Sequence, residues 1–241
     1  MSGKLELVYG AGRGAMEVPR MMLAAAGRFP PEAYSNTLIT EEQRLARTAP
    51  SEGMNANLGR IPLIITEDGT AIGQTMAIYN YVAATNGFLG ATPAEAAKAI
   101  SFVEHTRDIK EAWAKLAPWG TAITEELLDT WYRDTPNADV DGPTKRDSAP
   151  QRAASWWMAR LEHALPAQTS GPFAVGGKLS VADFALYNTF GESMKDTEPF
   201  GSKARNDALL AKHPKLKAIV ENVASNPGVK QWIATRGPQQ W

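Results

Sequence analysis

The clearest pattern of hydrophobic and polar positions lies between residues 59 and 84. The run Ile61–Thr66 is apolar and rich in β-branched residues, an acidic turn follows, and Thr70–Gly73 is long enough to pair back, so we predict a β-hairpin. After Gln74–Thr75, apolar residues recur at helical spacing until Gly87, which is placed as a stop signal. The hairpin is therefore predicted to end at a helix N-terminus, where exposed N–H groups favour an anion such as a carboxylate.

Strand and helix patterns also precede this stretch. Lys4–Tyr9 alternates as a strand does, and Gly10, Gly12 and Gly14 then allow a sharp turn. This G-x-G-x-G spacing lacks the second step of a dinucleotide-binding fingerprint, so no Rossmann cofactor is expected. The element predicted next is a helix over Ala15–Ala26, which can begin a residue or two later because Pro19 is suited to a first turn. A strand over Asn36–Thr40, a short helix over Glu41–Thr48 and a loop over Ala49–Leu58 follow.

A helix start at Thr92–Glu95, with a capping-box pattern and a proline at the first helical position, marks a domain boundary. From residue 92 to residue 241 the apolar positions follow helical spacing and no convincing strand pattern occurs. Ser180 and Asp183 form a second capping pattern, whose role we predict to be structural. The polar segment 135–150 is predicted as a loop.

Composition excludes several kinds of function. The 241 residues carry a net charge of −1 and no run of one sign, which argues against nucleic acid and anionic membranes as partners. No apolar run reaches bilayer length, so a cytoplasmic protein is expected. The absence of cysteine rules out disulfides and a protein thiol nucleophile, and the three histidines show no metal-binding spacing, so no metal is expected.

Four segments of the chain resemble the glutathione S-transferases. The stretch G-R-I-P-L-I with a later Q-T-M-A-I, residues 59–78, is similar to the glutathione-binding half of that family, and residues 7–17 are similar to the opening of its sigma class, which includes the prostaglandin D synthase type. Residues 177–184 and 213–236 resemble two C-terminal elements of the family. The resemblance implies a thioredoxin-like βαβαββα domain over 1–86, which binds glutathione, and an all-helical domain over 92–241.

The resemblance also implies a site. Tyr9 falls on the catalytic tyrosine that stabilises the glutathione thiolate, although a tyrosine at a strand end can equally serve packing. Asp108 falls where an acidic residue reaches the glutathione of the partner subunit, which implies a homodimer; its alternative is a solvated acid on a helix surface. The residues expected to bind glutathione are Arg47, Arg60, Ile61, Pro62, Gln74, Thr75 and Asp108. Pro62, at the first position of its strand, indicates a sheet edge or a cis bond that turns neighbouring backbone groups outward.

The expected activity is conjugation of glutathione, as co-substrate, to small hydrophobic electrophiles. The electrophile pocket is expected at Gly10, Ala15, Trp119 and Trp241 on this resemblance, although the two tryptophans can equally be core or surface aromatic residues. Three departures from the sigma-class pattern occur: Gly10 replaces phenylalanine, Ala15 replaces an arginine, and Thr75 replaces serine. They weigh against a prostaglandin substrate and leave general conjugation as the expectation. A glutathione-dependent isomerase and a non-catalytic ligand-binding protein stay open as alternatives.

Overall fold

The structure is a computed structural model that describes residues 3–46, 53–134, 152–191 and 199–237. By packing, the chain forms two compact units: Met1–Leu89 together with Ser225–Trp241, and Gly90–Ala224. None of the helices in the described ranges combines the length and the apolar character that crossing a bilayer requires. The predicted division into domains 1–86 and 92–241 stays a prediction, and the units differ from it by joining the last residues to the first unit.

The described elements of the chain follow a simple order. In chain order they are β1 Glu6–Tyr9, α1 Glu17–Ala25, β2 Ser35–Leu38, α2 Glu41–Ala46, β3 Leu63–Ile65, β4 Ala71–Gly73, α3 Thr75–Thr85, α4 Pro93–Leu116, α5 Glu125–Tyr132, α6 Ala154–Ala164, α7 Val181–Phe190, α8 Lys203–Leu210, α9 Pro214–Ser225 and α10 Pro227–Thr235. The predicted βαβαββα order is confirmed, and every regular element described from residue 90 onward is helical.

Strand β1 lies in the middle of a four-stranded mixed sheet with the order β2-β1-β3-β4. It is parallel to β2 and antiparallel to β3. Leu7 and Val8 point to opposite faces and neither is exposed to solvent, so the sheet is covered on both sides. The alternation predicted over Lys4–Tyr9 is incomplete at Val8, and burial on both faces explains why an apolar residue occupies that position.

Two predicted segments contain a 3-10 turn in the structure. At Gly14, which has a φ of +39°, a 3-10 turn over Gly14–Met16 precedes α1, and the helix starts at Glu17, within the one or two residues after Ala15 that Pro19 allows. The loop predicted over 49–58 contains a 3-10 turn at Gly53–Asn57. The remainder of the sequence between α2 and this turn lies outside the described residues.

Helix α10 packs on α1, and this packing joins the end of the chain to the first unit. The two helices approach closely at Gly228, where an added methyl group would lie 2.0 Å from the carbonyl oxygen of Ala24. Asn226 caps the helix by accepting a hydrogen bond from the Val229 N–H, and Pro227 occupies the first turn. The sequence pattern indicates the helix itself, whereas its packing partner depends on long-range contacts.

In the second unit, the two predicted helix caps are present. Thr92 accepts a hydrogen bond from the Glu95 N–H at 3.2 Å, while the Glu95 carboxylate accepts from the N–H of Ala91. The carboxylate of Asp183 accepts three hydrogen bonds, from the Ala174 N–H and from the N–H and hydroxyl of Ser180. Burial raises the pKa of Asp183 to about 6, against these hydrogen bonds, which lower it.

Replacing Asp183 with alanine is expected to lower the free energy of unfolding by about 3 kcal/mol, because buried donors lose their acceptor. Urea denaturation at pH 7 followed by circular dichroism measures the loss. The control is Asp207→Ala: Asp207 is half exposed in a surface pair with Lys203, and its loss is expected to cost less than about 0.5 kcal/mol. Equal effects of the two substitutions would contradict the role assigned to Asp183.

Candidate functional site

Three strands of the sheet meet in register at Leu63. This residue pairs with Val8 of β1 on one side and with Gly73 of β4 on the other. Because β1 and β4 both run antiparallel to β3, the residue after Val8, the residue before Leu63 and the residue after Gly73 emerge at the same edge of the sheet. The predicted site residues at this edge are Tyr9, Ile61–Pro62 and Gln74–Thr75. Register thus brings together three segments that lie far apart in the sequence.

Tyr9 is half-buried and lies against the glycine-rich turn that follows it. The hydroxyl oxygen of Tyr9 accepts a hydrogen bond from the backbone N–H of Ala15 at 3.2 Å. Gly14 packs so closely on the ring that an added methyl group would lie 2.4 Å from the hydroxyl oxygen. At Gly10 the same construction would meet the Ile61 side chain at 3.8 Å, so the turn and the segment before β3 are neighbours.

A buried carboxylate lies behind this turn. Glu17, at the start of α1, is fully buried, and its Oε1 accepts hydrogen bonds from Trp232 Nε1 at 3.0 Å and Arg236 Nη1 at 2.6 Å. Its other oxygen lies 3.7 Å from Nη1 of Arg20, which is also fully buried. Helix α1 is therefore tied to α10 and to its own next turn by a single side chain.

Arg20 extends this connection to the turn and to the sheet. Its Nη1 donates to the carbonyl oxygen of Gly12 at 2.9 Å, and its Nε donates to Asn36 Oδ1 in β2 at 3.1 Å. Burial lowers the pKa of the Arg20 guanidinium, and the charge of Glu17 acts in the opposite direction. The turn between Tyr9 and α1 is thus fixed from its buried side by a charged group.

Two other tyrosines lie close to this buried cluster. Burial raises the pKa of both Tyr34 and Tyr79, so their hydroxyl groups stay protonated at neutral pH. Both are buried, whereas Tyr9 is only half-buried. Of these three phenols, Tyr9 is the one that a molecule in solvent reaches.

The N-terminus of α3 is open to an anion. Gln74 is the N-cap residue; it has a φ of +70° and makes no side-chain capping hydrogen bond. Gln74 is exposed and Thr75 is half-buried, so the first-turn N–H groups and two polar side chains lie at the sheet edge beside Pro62. The Ile61–Pro62 peptide bond is cis, which is one of the two possibilities predicted for Pro62.

The other predicted site residues are distributed as follows. Arg60 is exposed in the first unit. Asp108 is exposed on α4, and Trp119, beyond the end of α4, is 72% exposed; both belong to the second unit. Arg47 and Trp241 lie outside the described residues. No three His, Asp or Glu side chains within the described part of the chain are arranged to hold a metal ion.

Sequence reasoning did not single out Arg20, Arg236 or Asn57 as parts of the site. Asn57 is buried and donates to the backbone carbonyls of Arg60 and Pro62, beside the predicted glutathione segment. The available signal was weak, since a lone polar residue in a helix or turn is usually solvated. Glu17 was visible as part of the motif at residues 7–17, but its partners at 232 and 236 were not.

Comparison with known proteins finds similarity to glutathione S-transferases. The family model for the glutathione S-transferase C-terminal domain matches residues 130–236. The chain is 28% identical over 231 residues to "Probable glutathione S-transferase 5" of Caenorhabditis elegans, covering 96% of each chain. It is 28% identical over 246 residues to human "Glutathione S-transferase A3", covering 100% of this chain and 92% of that one. These matches support membership of the glutathione S-transferase family.

Solved structures of the family share the fold. The hookworm protein Na-GST-3 of Necator americanus, described as monomeric, superposes with a TM-score of 0.69 at 22% identity and covers 99% of this chain and 100% of its own. A Nu-class protein of Haemonchus contortus superposes with a TM-score of 0.66 at 23% identity and covers 99% of both chains. The chain has the glutathione S-transferase fold: a mixed four-stranded sheet with its helices, followed by a helical region.

Replacing Gly14 with alanine tests the contact between the turn and Tyr9. The matched control is Gly27→Ala: Gly27 also has a positive φ, but nothing lies within 4 Å of an added methyl group there. Both substitutions are expected to lower the free energy of unfolding by about 1 kcal/mol through backbone strain. Gly14→Ala is expected to lower it by about 2 kcal/mol more, because the added methyl group displaces the phenol ring of Tyr9. Urea denaturation measures the free energy of unfolding of both variants. Equal decreases would contradict the prediction, because they would mean that the Tyr9 ring moves aside without destabilising the protein.

Proposed function

We propose that this chain is a glutathione transferase that conjugates the glutathione thiolate to hydrophobic electrophiles, with Tyr9 as the hydrogen-bond donor to the thiolate. The relatives named glutathione S-transferase support the general activity. The observation that carries the role of Tyr9 is its half-buried hydroxyl at the sheet edge, whose oxygen already accepts the Ala15 N–H. Assignment to the sigma class rests on sequence motifs such as those at residues 7–17 and 103–108, since the relatives include alpha-class proteins and the solved structures include Nu- and Pi-class ones.

The Ala15 N–H determines how the Tyr9 hydroxyl is used. A phenol has one proton to donate and lone pairs to accept with. Because the N–H occupies the acceptor side at 3.2 Å, the hydroxyl proton points elsewhere and is available to a bound sulfur atom. A hydrogen bond received by the oxygen also polarises the O–H group and strengthens its donation. Every residue except proline has a main-chain N–H, so the donor to Tyr9 is present at position 15 although alanine replaces the arginine of the sigma-class pattern.

The energetic value of this donor has a natural limit. A free thiol has a pKa of about 8.5, so about 3% is thiolate at pH 7. Because the phenol donates to the thiolate and gains little from the neutral thiol, it lowers the thiol pKa; a decrease of about two units corresponds to about 2.7 kcal/mol. At pH 7 that decrease increases the thiolate population about 25-fold, after which the population saturates. Further acceleration has to come from holding the electrophile against the sulfur.

The rest of glutathione needs anchors for two carboxylates and an ammonium group. The N-terminus of α3 suits the γ-glutamyl carboxylate, because the side chain of the N-cap residue Gln74 does not cap the helix and Thr75 lies beside it. The main chain of Ile61, next to Pro62, suits antiparallel pairing with the cysteinyl part. Arg60 is exposed close to this segment and suits the glycine carboxylate. Arg47 is proposed for the same end on the family resemblance.

We propose a homodimer in the cytoplasm in which Asp108 of one subunit binds the γ-glutamyl ammonium held by the other. Asp108 is exposed on α4. Its neighbour Arg107 forms ion pairs with Glu104 at 3.0 Å and with Glu111 at 3.1 Å. The carboxylate of Asp108 is therefore suited to an external cation. Gly10, Ala15, Trp119 and Trp241 are proposed for the electrophile pocket on the family resemblance.

The Tyr9→Phe variant tests the mechanism. With chlorodinitrobenzene as electrophile, kcat/KM for glutathione at pH 7 is expected to fall about 25-fold and the apparent thiol pKa to rise by about two units. Since Tyr9 lowers the thiol pKa, the ratio of kcat/KM between wild type and Tyr9→Phe is largest below about pH 6.5 and approaches one above about pH 8.5. The measurement is the pH profile of kcat/KM from pH 5.5 to pH 9.5.

The matched control is Tyr81→Phe. Tyr81 lies on α3, and its hydroxyl contacts Glu67 at 3.4 Å on the far side of the hairpin turn, so its removal is expected to leave the profile unchanged. An unchanged profile in Tyr9→Phe would remove Tyr9 from its role. Turnover without consumption of glutathione would indicate an isomerase, and tight glutathione binding without turnover on any electrophile would indicate a ligand-binding protein.

Asp108→Asn tests the proposed contact across the dimer. Loss of the carboxylate is expected to raise the KM for glutathione about fivefold with little change in kcat, because the ammonium contact is remote from the sulfur. Glu111→Gln on the same helix serves as the control and is expected to leave both constants unchanged. Sedimentation analysis of the same samples establishes the oligomeric state, and a fully active monomer would contradict the dimeric site.

A further inference from the structure

Asn57 is a buried polar side chain beside two segments of the proposed glutathione site. It ends the 3-10 turn Gly53–Asn57 and is only 3% exposed. Its Nδ2 donates to the carbonyl oxygen of Arg60 at 2.9 Å and to that of Pro62 at 2.9 Å. These two carbonyls bracket Ile61. One side chain therefore fixes the main chain on both sides of the residue proposed to pair with glutathione.

The orientation of the Asn57 amide follows from these partners. A side-chain amide has one donor end and one acceptor end, and only the nitrogen can donate to two carbonyl oxygens. Reversing the amide would set Oδ1 against both carbonyls and leave no donor between them. Aspartate, which has the same shape, cannot replace asparagine here for the same reason. The requirement at residue 57 is thus for a double donor rather than for a polar group in general.

Fixing the Arg60 carbonyl also fixes the Ile61 N–H. The two groups belong to one planar trans peptide unit, in which C=O and N–H point in opposite directions. Since the Arg60 carbonyl points to the buried Asn57, the Ile61 N–H points away from it. Asn57 thus aims the N–H that is proposed to meet the cysteinyl part of glutathione, although it does not itself reach the ligand.

The opposite side of Asn57 packs on Gly73. A methyl group added to Gly73 would lie 2.3 Å from Asn57 Cβ and 2.6 Å from its Oδ1, so the side chain lies flat against the backbone at the end of β4. Gly73 immediately precedes Gln74 and the N-terminus of α3, the proposed carboxylate site. Glycine is required at this position by the contact with Asn57, since its φ lies outside the left-handed region.

We propose that Asn57 is a positioning residue that couples the Arg60–Pro62 segment to the Gly73–Thr75 segment and so preorganises both for glutathione. This inference rests on the proposed function. Preorganisation removes ordering cost from binding, so it acts on affinity for glutathione. Tyr9 and its Ala15 hydrogen bond are not contacted by Asn57, so the activation of bound thiol is expected to be independent of it.

The test compares Asn57→Ala with Asn55→Ala. Asn55 lies two residues earlier in the same 3-10 turn and is exposed, which makes it a matched control. Isothermal titration calorimetry with glutathione and with unreactive S-methylglutathione measures Kd at a temperature where circular dichroism shows each variant folded. Asn57→Ala is expected to weaken Kd on the order of tenfold, and Asn55→Ala to leave it unchanged.

Kinetics separate a positioning role from a purely structural one. At saturating glutathione, kcat and the apparent thiol pKa of Asn57→Ala are expected to stay within about twofold and about 0.2 units of wild type, while KM for glutathione rises with Kd. A purely structural role would lower Tm and leave Kd unchanged for the folded protein. Asn57→Asp, which keeps the shape and loses the double donor, is expected to weaken Kd as Asn57→Ala does.

Wild-type protein provides a measurement that does not depend on folding of a variant. If Asn57 couples the two segments, bound S-methylglutathione slows exchange of its side-chain amide protons, because ligand and hydrogen bonds then stabilise each other. Equal exchange rates with and without ligand, or wild-type Kd in Asn57→Ala, would overturn the inference while leaving the proposed function intact. Failure of wild type to bind glutathione would overturn both.

Discussion

The buried carboxylate of Glu17 imposes the strongest constraint on the first unit. A carboxylate without access to water is costly unless hydrogen bonds and an opposite charge replace its hydration. Glu17 obtains these from Trp232 and Arg236 of the last helix and from Arg20 one turn along α1. Arg20 then requires acceptors of its own and finds them on the turn and on β2. The helix, the turn beside Tyr9, the sheet and α10 are thus held in one polar network.

The most specific hydrogen-bonding groups of the proposed site belong to the main chain. The N–H of Ala15 donates to the Tyr9 hydroxyl oxygen, the Ile61 backbone is proposed to pair with glutathione, and α3 offers its first-turn N–H groups. Main-chain groups survive substitution of side chains. A chain can therefore depart from a family motif at Gly10, Ala15 and Thr75 and still retain the donors that the proposed chemistry needs.

Local patterns in the sequence allowed a hairpin and a helix start of the first unit, and a helix cap of the second unit, to be predicted. The hairpin, the helix start at Gln74–Thr75 and the cap at Asp183 each depend on residues close together in the chain, and all three occur in the structure. Helix α1 starts at Glu17, within the one or two residues after Ala15 that Pro19 in the first turn allows. The 3-10 turn at Gly53–Asn57 was read as a loop because its residues are typical of loops.

Contacts between residues far apart in the sequence could not be predicted from these local patterns. Asn57 is defined by two carbonyls and a glycine that no periodicity connects, and the place of α10 is defined by Gly228 meeting Ala24 across more than two hundred residues of chain. The roles of Arg47 and Trp241 stay predictions, because both lie outside the described residues. The sequence identifies Asp108 and Trp119 as candidates. Their proposed roles depend on groups that do not belong to the second unit: the glutathione of the other subunit for Asp108, and Gly10 and Ala15 for Trp119.

The return of α10 to α1 has a consequence for how the protein is made. On the ribosome, residues 3–89 emerge long before Trp232 and Arg236, so the nascent first unit contains a carboxylate at Glu17 without two of its donors. Multidomain chains usually complete their N-terminal part first. Here the buried carboxylate of an early helix acquires its hydrogen bonds from Trp232 and Arg236 only after more than two hundred further residues have been synthesised.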